Sequence, residues 1–450
     1  MIPRKYLSSF ILSVSALSAF HAADAAPLPS VHQPGHFSKI MVVIFENMSY
    51  AEIRNEPTFK KLVEYSGHTL DQNGRLLRMM TARPAMDSSG NGYAFFSSYY
   101  NNHTGGTEPA RPSQPNYIAM TSGSIQGIKD NDMHDLDVDN LAIELNDAGI
   151  SWKIYAEDLP DPKAAMLSDT LRTHGMMNVS PRQPFVRDPD KSEEENDLAE
   201  QKYLDEYRKL NHLYQEENKT GFNFASGCFT GASNVDGGGA HDNGYMRKHE
   251  PFISYQNIQK NFANCKNIQN AAHLAADINN MADVNFYIPN QINDGHNGTL
   301  AERTMRANAF LSRMMGTDPK TGEPLPNAAN APFQKFMAQD GLLVITFDEP
   351  SVTGNPDKTI YTLLAGSMIN SGAYPNKDGK NAPVCYPAIN KQNNYSPDEN
   401  GKYDPAHCNH YNLLKLIENN WRLRGLDAKS TSTGYKYALP LDNDISSLWK

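Results

Sequence analysis

An acid–amide pair, an acidic pair and one serine stand out by residue type and position. Glu46-Asn47 follows the apolar run Ile40 to Phe45, and Asp348-Glu349 follows a second run, Leu342 to Phe347. Three carboxylates and an amide oxygen brought to one place repel unless a cation lies between them. An all-oxygen donor set favours a hard divalent ion, Mg²⁺, Mn²⁺ or Ca²⁺, and leaves Zn²⁺ open. Ser113 stands in Arg111-Pro-Ser-Gln-Pro-Asn-Tyr117, where Pro115 suits the first turn of a helix and puts the serine at or next to the N-cap. A hydroxyl there meets free backbone N–H groups and the positive end of the helix dipole, a setting suited to an anionic phosphoryl group. Bound to a metal, it would be acidified into a nucleophile without a histidine base. Each feature also has an ordinary reading, since acids after strands form turns and a serine at this position caps its helix.

The elements needed to converge these residues can be read from periodicity. Both apolar runs read as strands buried on two faces, as in a parallel sheet, whose carboxyl ends open onto the ligand crevice. Pro57-Thr58 opens a helix closed by Gly67, and Asp139 is expected to cap a helix ended by Gly149. Strands are expected at Ser151–Tyr155, Val284–Ile288 and Ile360–Leu364, with a helix from about Leu300 to Met315. Leu413, Leu414, Ile417 and Trp421 recur at helical spacing and read as core. This alternation predicts a single α/β domain over residues 26–450. It is broken from about 158 to 247 by a polar block with the acidic run Glu193 to Asp197, a helix candidate from Leu198 to Tyr214 and Gly237-Gly-Gly239. Such a block reads as an insertion folded over the site, or as a solvated excursion with no role.

Arg4 and Lys5 precede an apolar run from Phe10 to Phe20, and Ala23-Asp24-Ala25 fits a signal-peptidase site. Residues 1–25 therefore read as a signal peptide, too short to anchor the chain, and predict export to the periplasm or the medium. The net charge is −10; residues 1–25 carry two basic and one acidic side chain, so the remainder stands near −11. That acidity argues against nucleic acid and against an anionic membrane surface. Cys228, Cys265, Cys385 and Cys408 in an exported chain suggest two disulfides, with 228–265 and 385–408 favoured because they close local loops.

Six segments in order resemble the phosphoesterase family that includes bacterial and fungal acid phosphatases and bacterial phospholipases C. They are strand–Glu46-Asn47, Pro112-Ser113-x-Pro-Asn-Tyr117, Lys248-His249-Glu-Pro-Phe252, Pro289-Asn290-x-x-Asn293-Asp294-Gly295-His296, Thr346-Phe347-Asp348-Glu349 and His410-Tyr-Asn-Leu-Leu-x-x-Ile-Glu418. The resemblance implies an alkaline-phosphatase-like three-layer αβα sandwich with a mainly parallel sheet. It also implies hydrolysis of phosphoric esters through a phosphoserine, with one divalent ion held by Glu46, Asn47, Ser113, Asp348 and Glu349. Ser113 would be the nucleophile, with His249 and His296 lining the phosphate pocket and Asp294 beside the second. Relatives carry two aspartates where this chain has Asp348-Glu349, which leaves the role of Glu349 open. Asn412 replaces a serine of the last segment, which favours His410 as a structural residue. His103 and His134 flank the serine segment and could enter the pocket. The implied substrates are small phosphate esters, with phospholipid headgroups as the wider option; a sulfatase-like hydrolase and a non-catalytic metal-dependent binding protein are the competing readings.

Overall fold

The computed structural model describes residues 34–70, 76–79, 90–96, 99, 111–159, 244–351, 359–371 and 408–426, with scattered positions elsewhere, among them 192, 222–223, 228–229, 435 and 448–450. Its centre is a seven-stranded sheet ordered Gly92–Phe95, Leu363–Gly366, Gly341–Phe347, Lys39–Phe45, Val284–Ile288, Trp152–Ala156, Ile268–Asn270. The five strands from Gly341–Phe347 to Ile268–Asn270 run parallel, and Leu363–Gly366 runs antiparallel at the other side. The sequence predicts this order of burial: Ile40 to Phe45 and all seven residues of Gly341–Phe347 are buried, so the two apolar runs form the middle of the sheet. Each fully buried aliphatic side chain there contributes about 1.5–3 kcal/mol.

Strand register brings the two acidic strand ends together. Phe45 pairs with Phe347, so Glu46 and Asp348 leave adjacent parallel strands at the same height. Two groups of helices flank the sheet, as a three-layer sandwich requires. Pro57–Tyr65, Leu300–Met315 and Pro332–Met337 form one group; Phe45 joins it through edge-on contacts with Phe59 and Phe310 at 5.5 and 5.6 Å. Ser113–Ser122, Leu141–Asp147 and His410–Trp421 form the other.

Local chemistry sets the helix ends. Thr299 and Glu302 form a capping box at the start of Leu300–Met315. The expected cap Asp139 is not the one used: Asn140 accepts from the Ile143 amide, and Asp139 instead receives Arg424 Nη2 at 2.5 Å. An amide and a carboxylate cap equally well, and a nearby guanidinium decides which of two neighbours does so. The strand expected at Ile360–Leu364 lies slightly later, at Leu363–Gly366. Most of the block from about 158 to 247, including the helix expected from Leu198 to Tyr214, lies outside the described residues. Its last part, residues 244–247, is described, and Arg247 is buried there, 1% exposed, donating to the His134 carbonyl at 3.1 Å.

Candidate active site

Glu46 is the first residue beyond the central strand and is fully buried. Asn47 then takes a left-handed conformation, φ 50°, which asparagine tolerates better than most residues. This turn lets the Asn47 amide donate to Asp348 Oδ1 at 3.0 Å, and the Glu349 amide donates to the same oxygen at 2.6 Å. Asp348 is further fixed through its backbone: its carbonyl accepts His410 Nε2 at 2.7 Å, while Tyr99 Oη donates to His410 Nδ1 at 3.2 Å.

Ser113 is the first residue of helix Ser113–Ser122, whose ten residues are all buried. Pro112 occupies the N-cap position, so the serine side chain is not spent on capping. Ser113 Oγ donates to Glu46 Oε2 at 2.8 Å, and Tyr117, one turn on, donates to Glu46 Oε1. Asn47 Nδ2 also reaches Oε2, at 3.2 Å.

The histidines enter from the Lys248 segment and the loop after Val284–Ile288. His249 lies between two carboxylates, Nε2 3.4 Å from Glu46 Oε2 and Nδ1 3.6 Å from Asp294 Oδ2. Asp294 Oδ1 accepts the His296 amide at 2.7 Å, and the His296 ring lies 5.7 Å from that of His249. Gly295 between them has φ 99°, and a Cβ there would stand 2.1 Å from Met48 Cε and 3.2 Å from the Glu46 carbonyl oxygen. Arg303, from the following helix, donates to the Gly295 and Asn47 carbonyls together, tying this loop to the Glu46 turn.

Burial dominates the electrostatics. It pushes the Glu46, Asp294 and Glu349 carboxyls well above the usual carboxylate range, helped by repulsion from Asp348, and holds Asp348 at about 6. Burial also lowers His249 far below its ordinary value and His296 to about 4. Lys248, 1% exposed, is lowered by burial and raised by attraction to Glu46, Asp348, Asp294 and Glu349.

Whether these residues suit a metal ion can be judged from their unused oxygens. Asp294 Oδ2, Asp348 Oδ2 and Glu349 Oε2 are buried and accept no hydrogen bond. Buried carboxylate oxygens without donors are costly, and a divalent cation is the partner that would satisfy several at once. Among the described residues, Glu46, His249 and His296 offer ligand atoms within 4.8 Å of one another. The residues therefore fit a cation. The set includes imidazole nitrogens, so it is wider than the oxygen-only shell read from the strand ends, and transition metals suit it too.

Glu46, Asn47, Ser113, His249, Asp294, His296 and Asp348 thus fall in one place, with Glu349 at its edge, 3.8 Å from Arg111 Nη1. His410 supports Asp348 from behind. His134 turns elsewhere, pairing with Asp130 at 2.6 Å, and His103 lies outside the described residues. Four neighbours of the site were not picked out as functional from the sequence. Tyr117 could have been found from its i+4 spacing to Ser113, Lys248 from adjacency to His249, and Arg111 from its place two residues before Ser113. Arg303 carries no local signal.

The model of the Phosphoesterase family matches residues 79–319, more than half of the chain, a span that includes Ser113, Lys248, His249, Asp294 and His296. Three curated relatives agree in kind. A probable acid phosphatase of Kluyveromyces lactis is 26% identical over 182 residues, 40% of this chain and 32% of that protein. An acid phosphatase of Aspergillus fumigatus is 21% identical over 320 residues, 70% of this chain and 47% of that protein. One of Aspergillus niger is 24% identical over 190 residues, 42% and 34% respectively. The chain spans between about a third and a half of the length of these relatives. With six motifs in order on the expected sandwich and a family match over more than half its length, the chain belongs to the Phosphoesterase family.

Proposed function

We propose that this protein is a metal-dependent phosphoric-ester hydrolase of the acid-phosphatase type, with Ser113 as nucleophile. The observation that carries the reading is the 2.8 Å hydrogen bond from Ser113 Oγ to Glu46 Oε2, at the amino end of a buried helix and among buried carboxylates. The ion would be held by Glu46, Asn47 and Asp348, with Ser113, Glu349, His249 and His296 around it. When bound, it supplies positive charge for the phosphoryl oxygens and acidifies the serine hydroxyl.

Ser113 Oγ forms the new bond to phosphorus as its proton passes toward Glu46 Oε2, and the bond from phosphorus to the ester oxygen breaks. The departing alkoxide takes a proton from the entering water, whose oxygen then attacks the phosphoserine; inorganic phosphate leaves, and Glu46 returns its proton to the Ser113 oxygen. Lys248 counters the charge of the entering phosphate, and the amino end of the helix adds its dipole. Burial lowers His249 well below its ordinary value and His296 to about 4, which favours the neutral rings, so they serve the phosphate first as hydrogen-bonding groups.

Phosphate monoesters are the proposed substrates, with phosphatidylcholine-type diesters as weaker ones admitted by the block from about 158 to 247, taken as an insertion roofing the site within one domain. Export is proposed from the first 25 residues, and no described helix is long and apolar enough to cross a membrane. Nucleic acid is not proposed as a partner, because the net charge is −10.

The test is a single-turnover reaction with an aryl phosphate monoester, quenched in acid and followed by peptide mass spectrometry. Phosphate on the peptide containing Ser113, and none with Ser113→Ala, is the expected result. Full turnover by a folded Ser113→Ala protein would leave a metal-dependent binding protein or a different hydrolase as the better reading.

A further inference from the structure

We propose that Tyr117 is the positioning residue of the nucleophile: it fixes the Glu46 carboxylate so that Oε2 alone faces the Ser113 hydroxyl. The inference rests on the reading of Ser113 as nucleophile. It adds a residue whose role is to aim that hydroxyl.

Ser113 and Tyr117 are separated by four positions on one helix and therefore project from the same face. Each hydroxyl takes a different oxygen of one carboxylate, Ser113 Oγ on Oε2 and Tyr117 Oη on Oε1. The last torsion of a glutamate is broad and two-fold, so a carboxylate held at one oxygen alone can turn and exchange its oxygens. Held at both by donors on a single helix, its plane is set. Ser113, Tyr117 and Glu46 are all at most 2% exposed, so no solvent competes for either oxygen.

The helix itself is fastened close to the site. Thr121 Oγ1 donates to the Pro251 carbonyl at 3.1 Å and shares a hydrogen bond with Tyr255 Oη at 2.8 Å, which joins the helix to the segment bearing His249. The Tyr117 ring then stacks on the His249 imidazole, centroids 5.6 Å apart and planes 16° apart. His249 Nε2 in turn lies 3.4 Å from the same Oε2 that Ser113 uses. Tyr117 thus sets the plane of the carboxylate with its hydroxyl and the face of the imidazole with its ring. A buried aromatic side chain of purely packing value would require neither arrangement.

Tyr117→Phe keeps the ring and removes only the hydroxyl. With an aryl phosphate monoester, kcat should fall about 10- to 100-fold while KM stays within about threefold, the pattern of an interaction that matters in the transition state. The burst of phosphoserine should slow by the same factor. Calorimetric titration of the ion-free protein with Mn²⁺ should show weaker binding, about three- to tenfold, and saturating Mn²⁺ should not restore kcat. A purely structural tyrosine would lower the thermal midpoint and leave both kcat per folded molecule and Mn²⁺ affinity unchanged; that result overturns the proposal. Tyr117→Leu serves the same measurements if Tyr117→Phe does not fold. Ser113→Ala, run in parallel, separates the two claims: an active Ser113→Ala protein defeats the nucleophile, whereas an inactive one beside a normal Tyr117→Phe protein defeats this inference alone.

Discussion

His410 Nε2 lies 2.7 Å from the carbonyl oxygen of Asp348, and its other nitrogen, Nδ1, is 3.2 Å from Tyr99 Oη. Both ring nitrogens are therefore engaged in a fully buried side chain, which burial lowers to about pKa 4 against the opposing pull of the hydrogen bond to the Asp348 carbonyl. A histidine so placed donates to a backbone carbonyl and accepts from a phenol. It has no free position for proton transfer to a substrate, and its contribution is to hold the turn after the Gly341–Phe347 strand.

For His410→Gln we expect a loss of stability of about 1–3 kcal/mol, the cost of leaving buried hydrogen-bonding groups unsatisfied. Chemical denaturation measures it. The pH dependence of kcat for the folded fraction should keep its shape, since no titrating catalytic group is removed; a lost acidic limb would give His410 a role in proton transfer.

Removal of the ion should abolish hydrolysis of an aryl phosphate monoester, and one divalent ion should restore it. Asp348→Asn removes one carboxylate charge from an oxygen set in which Asp348 Oδ2 is otherwise unused, and should weaken Mn²⁺ binding by at least tenfold in calorimetry. Full activity of chelator-treated protein, with no metal detected by mass spectrometry, would end the metal-dependent reading.

Gly295→Ala should cost several kcal/mol of stability or distort the site, because φ 99° is unfavourable to a Cβ and that atom would collide with Met48. Pairing the change with Met48→Ala removes the steric part but not the backbone part. Partial recovery of the thermal midpoint is the expected outcome, and complete recovery would show the backbone conformation to be unimportant.

Stability should also depend on pH through a second buried acid pair, Glu144 and Glu418, which are 1% and 3% exposed. Burial, then repulsion from Glu418, raises Glu144 to about 8. Arg424 Nε at 3.9 Å from Glu144 and Lys415 Nζ at 3.2 Å from Glu418 offset the charge only in part, while Asp139 adds to it and Tyr435 donates to Glu418. A carboxyl raised on folding stabilises fully below its unfolded pKa, near 4.5, and loses that contribution as pH rises to about 8. Thermal midpoints measured across this window should decline with pH, and Glu144→Gln should flatten the decline.

On the proposal of export, intact mass of the processed chain should place its first residue near Ala26, and a thiol titration of the native chain should find none reactive. The helix Phe262–Cys265 packs on the short strand Cys228–Phe229, consistent with the 228–265 pairing. Four thiols that react without denaturant would contradict both disulfides.

The sequence by itself determined the middle of the sheet. Ile40 to Phe45 and Leu342 to Phe347 are apolar without interruption, and only a strand covered on both faces buries every residue of such a run. It also determined that acids follow both strands, and that a serine opens a helix beside a proline turn. These are local properties, written in residue type and period. Tertiary structure alone decided that Phe45 pairs with Phe347 and so set Glu46 beside Asp348, a matter of register between strands about 300 positions apart. It alone brought Arg303 onto the Asn47 and Gly295 carbonyls, and Lys248 within the attraction of four carboxylates. It also chose Asn140 over Asp139 as a cap, through an arginine at position 424. Contacts of that kind depend on which side chains of distant segments meet in a space from which water is excluded, and a one-dimensional pattern does not encode the meeting.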